Sequence, residues 1–81
     1  MDSNAGSAIE RCLREHFPEA RIVVTSGDGV HFLVEVVDVS FARLAPVARH
    51  RLVHRLIAPL IASGHVHAVE IRPRAPGERP L

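Results

Sequence analysis

The hydrophobic positions of this chain fall into two kinds of period. Leu52, Val53, Leu56, Ile57, Leu60 and Ile61 recur at steps of one and four residues, a broad helical stripe, with Arg51, His54, Arg55 and Ala58 on the other side. Ile9, Cys12, Leu13 and Phe17 make a shorter stripe of the same kind. It predicts a first helix over residues 3–16, with Ser7 and Glu10 at capping-box spacing, Ser3 as an earlier alternative cap, and Pro18 closing the end. Between the two stripes the period drops to two. Ile22 to Thr25 supply β-branched side chains for a strand over 20–26. Ser26-Gly27-Asp28-Gly29 reads as a hairpin turn. A second strand over 30–39 alternates Phe32, Val34 and Val36 against His31, Leu33, Glu35 and Val37, and the first set is the face expected beneath the helices. Phe41 is placed to dock as a one-turn anchor, and Pro46 suits the first turn of the long helix. Pro59 should kink that helix or end its regular bonding a turn earlier, and Ser63-Gly64 should stop it. A last strand over 66–72 puts His67, Val69 and Ile71 on one face. From Pro73 onward three prolines and a glycine predict a frayed tail.

The order is helix, strand, strand, helix, strand. Two main helices on one face of a three-stranded sheet is the simple packing solution, an α+β fold with a short extra helical turn near Phe41. Eighty-one residues make one small domain, expected over 1–76, with 77–81 as a flexible tail. Its three aromatics are all Phe, so its core must be aliphatic. All ten basic residues are Arg, set against nine acids for a net charge of +1. That near-neutral balance does not mark a nucleic-acid binder. The single cysteine, Cys12, excludes an internal disulfide and multi-Cys zinc sites. No apolar run reaches the roughly 18 residues of a membrane span, and no signal peptide is visible, which gives a cytoplasmic expectation with no membrane partner.

Six histidines in so short a chain are the candidate chemistry. Judged on pattern alone, His67 reads as a structural histidine on a strand face, His31 as an ordinary residue at a turn edge, and Cys12 as a small core hydrophobe. Arg43, Arg49, His50, Arg51, His54 and Arg55 form a basic cluster, either a solvated helix face or a surface for phosphates or an acidic partner. Arg49 lies near the apolar side by angle, so it must snorkel or precede regular helix. Ser26, Asp28 and His31 lie close in sequence, but proximity on a hairpin does not make a catalytic triad.

Gly27-Asp28-Gly29-Val30-His31-Phe32, Val34-Glu35-Val36-Val37, Phe41, Val47-Ala48-Arg49-His50-Arg51-Leu52-Val53 and Gly64-His65-Val66-His67-Ala68 together resemble the BolA family, over roughly residues 8–76. The branch it looks like carries a histidine in the first hairpin. The resemblance implies a class II KH-like fold without enzymatic activity. It further implies partnership with a monothiol glutaredoxin and glutathione through a shared, bridging [2Fe–2S] cluster, in iron–sulfur trafficking or iron and redox regulation. The family's ligand positions fall on His67 and His31. Bacterial members are also described as DNA-acting regulators. The alternative function is therefore a transcriptional regulator binding duplex DNA through helix 47–58, and the chain alone is expected as a monomer or weak dimer. The chemistry is consistent with a shared cluster: two imidazoles can ligate one iron, but one thiol cannot complete four ligands, so a partner must bring thiolates. The KH mode of single-strand binding needs a Gly-x-x-Gly loop, and Ala42-Arg43-Leu44-Ala45 has no glycine. Family members commonly carry glycine where Arg43 stands, which predicts a different path for the connector.

Overall fold

A computed structural model describes residues 5–64, 66 and 68–79 of the chain. The elements run α1 (Ala5–His16), β1 (Arg21–Thr25), β2 (His31–Val37), a 3₁₀ turn (Val39–Arg43), α2 (Pro46–Ala62) and β3 (Ala68–Arg74). The sheet order is β1-β2-β3. β1 and β2 are antiparallel, with Ile22 opposite Val36 and Val24 opposite Val34. β3 returns through α2 to lie parallel to β2, pairing Phe32 with Val69 and Val34 with Ile71, since a parallel neighbour needs a long crossover.

The period-two alternation of β2 settles which face is covered. Phe32, Val34 and Val36 are buried, as are Ile22 and Ile71 beside them. Ile9 and Leu13 of α1, and Val53 and Ile57 of α2, close over them. α1 packs on β1 and α2, and α2 also packs on β3. Residues in register share a face, so His31, Leu33 and Glu35, with Ala68, Glu70 and Arg72 opposite them, belong to the face away from the helices.

Phe41 anchors the turn between β2 and α2. It is fully buried, its ring centroid 5.3 Å from that of Phe17. Asp38 caps this turn, its carboxylate accepting from Ser40 N at 3.0 Å. Among the described residues, no non-glycine has a positive φ, so Arg43, where the resemblance leads one to expect glycine, needs no left-handed backbone.

Four expectations change. Ser7 lies inside α1 rather than at its N-cap, because helix is already present at Ala5; Ser3 lies outside the described residues. Of the two outcomes expected of Pro59, the break does not occur, since α2 continues through it to Ala62. It sits on the exposed side of the helix, where solvent can bond the carbonyl one turn back that lacks its usual N–H. Pro73 does not end β3, which continues to Arg74 opposite Val37, because an edge strand tolerates a missing N–H. The segment after it is packed as well. Ala75 is buried, and Glu78 closes a turn by accepting from Ala75 N at 3.0 Å.

Glu78 also explains Arg49, which does not belong to the basic surface. Arg49 is only 8 % exposed. Its Nη1 and Nη2 donate to Glu78 Oε1 and Oε2 at 2.5 and 3.0 Å, and its Nε donates to Leu44 O at 2.9 Å. This fork satisfies a guanidinium on the apolar side of the helix, as burial of a charge requires. The Arg49 hydrogen bond, followed by the Ala75 N–H, holds the Glu78 carboxyl down at about 2.

Candidate functional site

The loop Ser26–Val30 is organised by one carboxylate. Asp28 Oδ1 accepts from the backbone N–H groups of Val30 and His31, both at 2.9 Å, and Oδ2 lies 2.7 Å from His31 Nδ1. Ser26 Oγ accepts from Gly29 N at 2.8 Å. Gly29 has φ +76°, a conformation that needs glycine. The His31 backbone N–H, then its ring, then the Val30 N–H keep the Asp28 carboxyl well below the usual carboxylate range.

This arrangement fixes the chemistry of His31. An ionised carboxylate only accepts, so the ring presents Nδ1–H to Asp28. In the neutral ring the lone pair is then on Nε2. The His31 side chain is 72 % exposed, and Nε2 has no hydrogen-bond partner among the described residues. A histidine whose second nitrogen donates to a carboxylate is the usual form of a metal-ligating imidazole. Ser26 Oγ lies 3.3 Å from Asp28 Oδ1. The hydroxyl thus meets the carboxylate rather than the ring, which is not the order of a nucleophile–base–acid relay.

An open depression of about 480 Å³ lies beside His31, bordered by Ser26, Gly27, Leu33, Ala68 and Glu70. His31 pairs with Ala68 at the start of β3. His67, the second candidate ligand, precedes Ala68 in sequence and lies outside the described residues. Among the described residues, no group of three or more His, Cys, Asp or Glu is gathered as a metal site. Cys12 is partly buried, and its Sγ lies 3.0 Å from Leu56 O; burial, then Glu15, raises its thiol pKa, which opposes the thiolate form needed for ligation.

On α2, His50, Arg51, His54 and Arg55 are exposed, and Arg43 is exposed on the preceding turn. These five of the six basic candidates remain at the surface; Arg49 is withdrawn by Glu78. Two contributors escaped sequence reasoning. Asp28 as the orienter of His31 had a signal, three-residue spacing across an Asp-Gly turn. Glu78 had none, lying 29 residues from Arg49. Among the described residues, no helix is long and apolar enough to cross a membrane.

The BolA family model, described as BolA-like protein, matches residues 8–78. The chain is 44 % identical over 55 residues to "BolA-like protein 1" of Pongo abelii, covering 68 % of this chain and 39 % of that protein. It is 50 % identical over 48 residues to the "DNA-binding transcriptional regulator BolA" of Vibrio cholerae, covering 59 % of this chain and 44 % of that one. It thus spans about two fifths of the length of these curated relatives. The solved structure of BolA1 from Arabidopsis thaliana superposes with a TM-score of 0.81 at 27 % identity, over 98 % of this chain and 100 % of that one. A match across nearly all of the packed region, with the same fold, establishes descent: the chain belongs to the BolA-like protein family.

Proposed function

We propose that this chain is a non-catalytic adaptor that pairs with a monothiol glutaredoxin and glutathione, sharing a [2Fe–2S] cluster in iron–sulfur trafficking or iron and redox regulation. The observation that carries the reading is His31. Its ring is exposed, its Nδ1 is committed to Asp28 at 2.7 Å, and its Nε2 faces no competing donor or acceptor among the described residues. Such a group fits one coordination position on iron. The residues of this chain would contribute imidazole nitrogens, from His31 and from His67, while partner thiolates complete the four ligands. When bound, the cluster supplies a one-electron redox centre and a transferable iron–sulfur unit. Asp28 holds the ring in its ligating tautomer, and the open depression beside it leaves room for a second protein's thiolates to approach.

The test is to mix the chain with a monothiol glutaredoxin and glutathione, reconstitute with iron and sulfide, and record visible absorption and circular dichroism. The expected result is a spectrum distinct from that of the glutaredoxin alone, altered again by His67→Ala or His31→Ala. A mixture indistinguishable from the glutaredoxin alone would refute the proposal.

A second reading is duplex DNA binding by α2. It is favoured by the exposed His50, Arg51, His54 and Arg55 on a helix with no acidic residue and by what the Vibrio relative is called. It predicts affinity that falls with salt and with joint neutralisation of Arg51 and Arg55. Arg49 should contribute nothing to that surface, since its guanidinium is occupied.

A further inference from the structure

We infer that His50 and His54 form a second metal site, a two-imidazole chelate for a divalent cation of the zinc class, on the outer face of α2. They are four residues apart on an uninterrupted stretch of helix, the spacing that brings two histidines to one face as a zinc-binding pair. Both are exposed. Their rings are nearly parallel, 11° apart, with centroids separated by 6.4 Å. Neither ring has a hydrogen-bond or ion-pair partner among the described residues, so neither nitrogen is committed elsewhere.

The geometry needs little adjustment. With metal–nitrogen bonds of about 2.0–2.1 Å, a tetrahedral zinc holds two donor nitrogens about 3.4 Å apart. From the present separation, that requires the rings to approach by about 1 Å and swing their nitrogens inward. Side-chain torsions at exposed positions supply such a movement between ordinary rotamers. Water fills the remaining positions, so the site is open.

The surroundings select the metal. α2 contains no Asp or Glu, and Arg51 and Arg55 lie on the same side of the helix. Calcium and magnesium, which demand oxygen ligands, find none from this helix's carboxylates. Zinc, nickel and copper bond imidazole directly and can do so against the neighbouring positive charge. This site is separate from the hairpin site of His31, which lies at the end of β2 and uses different residues.

The experiment is a Zn²⁺ titration at pH 7.5, followed by calorimetry and by the histidine ring proton signals. It uses the full chain carrying His31→Ala and His67→Ala, so that the hairpin candidates cannot contribute. One zinc per chain should bind, moving the His50 and His54 ring signals together. Adding either His50→Gln or His54→Gln should weaken binding at least tenfold, with unchanged far-UV circular dichroism because both positions are exposed. A loss smaller than tenfold in either variant, movement of only one of the two rings, or no zinc uptake would overturn the assignment.

Discussion

Replacing Phe41 by alanine is expected to remove a large share of the stability of this domain, because one ring anchors the turn between β2 and α2 in the core. The side chain is fully buried, and its ring meets Phe17 with centroids 5.3 Å apart and planes tilted by 56°. Burying about 150–250 Å² of phenylalanine at about 25 cal/mol per Å² is worth about 4–6 kcal/mol. Alanine retains part of that, and truncations of this kind cost about 3–5 kcal/mol. Loss of the ring pair adds about 0.5–1.5 kcal/mol. A total of about 3.5–6.5 kcal/mol should be compared with the overall stability of a domain this size, about 4–12 kcal/mol at about 0.05–0.15 kcal/mol per residue. Val39, in the same five-residue turn, is 73 % exposed, so Val39→Ala should change stability by no more than about 0.5 kcal/mol. Urea unfolding followed by circular dichroism reads both, since a shift in midpoint at constant slope reports stability. If Phe41→Ala lost less than about 1.5 kcal/mol, or no more than Val39→Ala, the turn would not be the anchor described here.

Two further outcomes follow from the two carboxylates. Glu78 is held at about 2 when folded, against an ordinary value of 4.5, so its contribution is fully present above about pH 5 and is lost as pH falls through about 2; Glu78→Gln should flatten the acid side of the stability–pH curve, and unchanged slopes between pH 4.5 and 2 would contradict this. Asp28→Asn should lower retention of a His31-bound cluster by about 10–100-fold, because an outer-shell partner fixes the ligating tautomer; equal retention by chelator challenge would remove Asp28 from that role.

The legible parts of this fold were those set by local period. Phe32, Val34 and Val36 alternate cleanly because one face of β2 is covered and the other is not, and Phe41 was recognisable as the lone aromatic of the connector. Pro73 misled, as did the break weighed at Pro59, for one reason. A proline's cost depends on whether its missing N–H was needed, and that is decided by an edge position or by solvent, not by the text. Arg49 showed the same limit. Its helical angle put it on the apolar side, but its partner comes from a turn that forms only once β3 extends past Pro73. For the candidate site, the histidine of the hairpin was found through family resemblance, while its orientation by Asp28 required the loop to close. His67 lies outside the described residues, so its expected role rests on the resemblance alone.

The most direct measurement is pulsed electron paramagnetic resonance on the reduced cluster in the mixed complex, with ¹⁵N-histidine introduced into this chain only. The expected result is a nitrogen coupling from directly bound imidazole that changes with the isotope and is altered by His31→Ala. Identical spectra from labelled and unlabelled chain would mean that none of its histidines binds the iron.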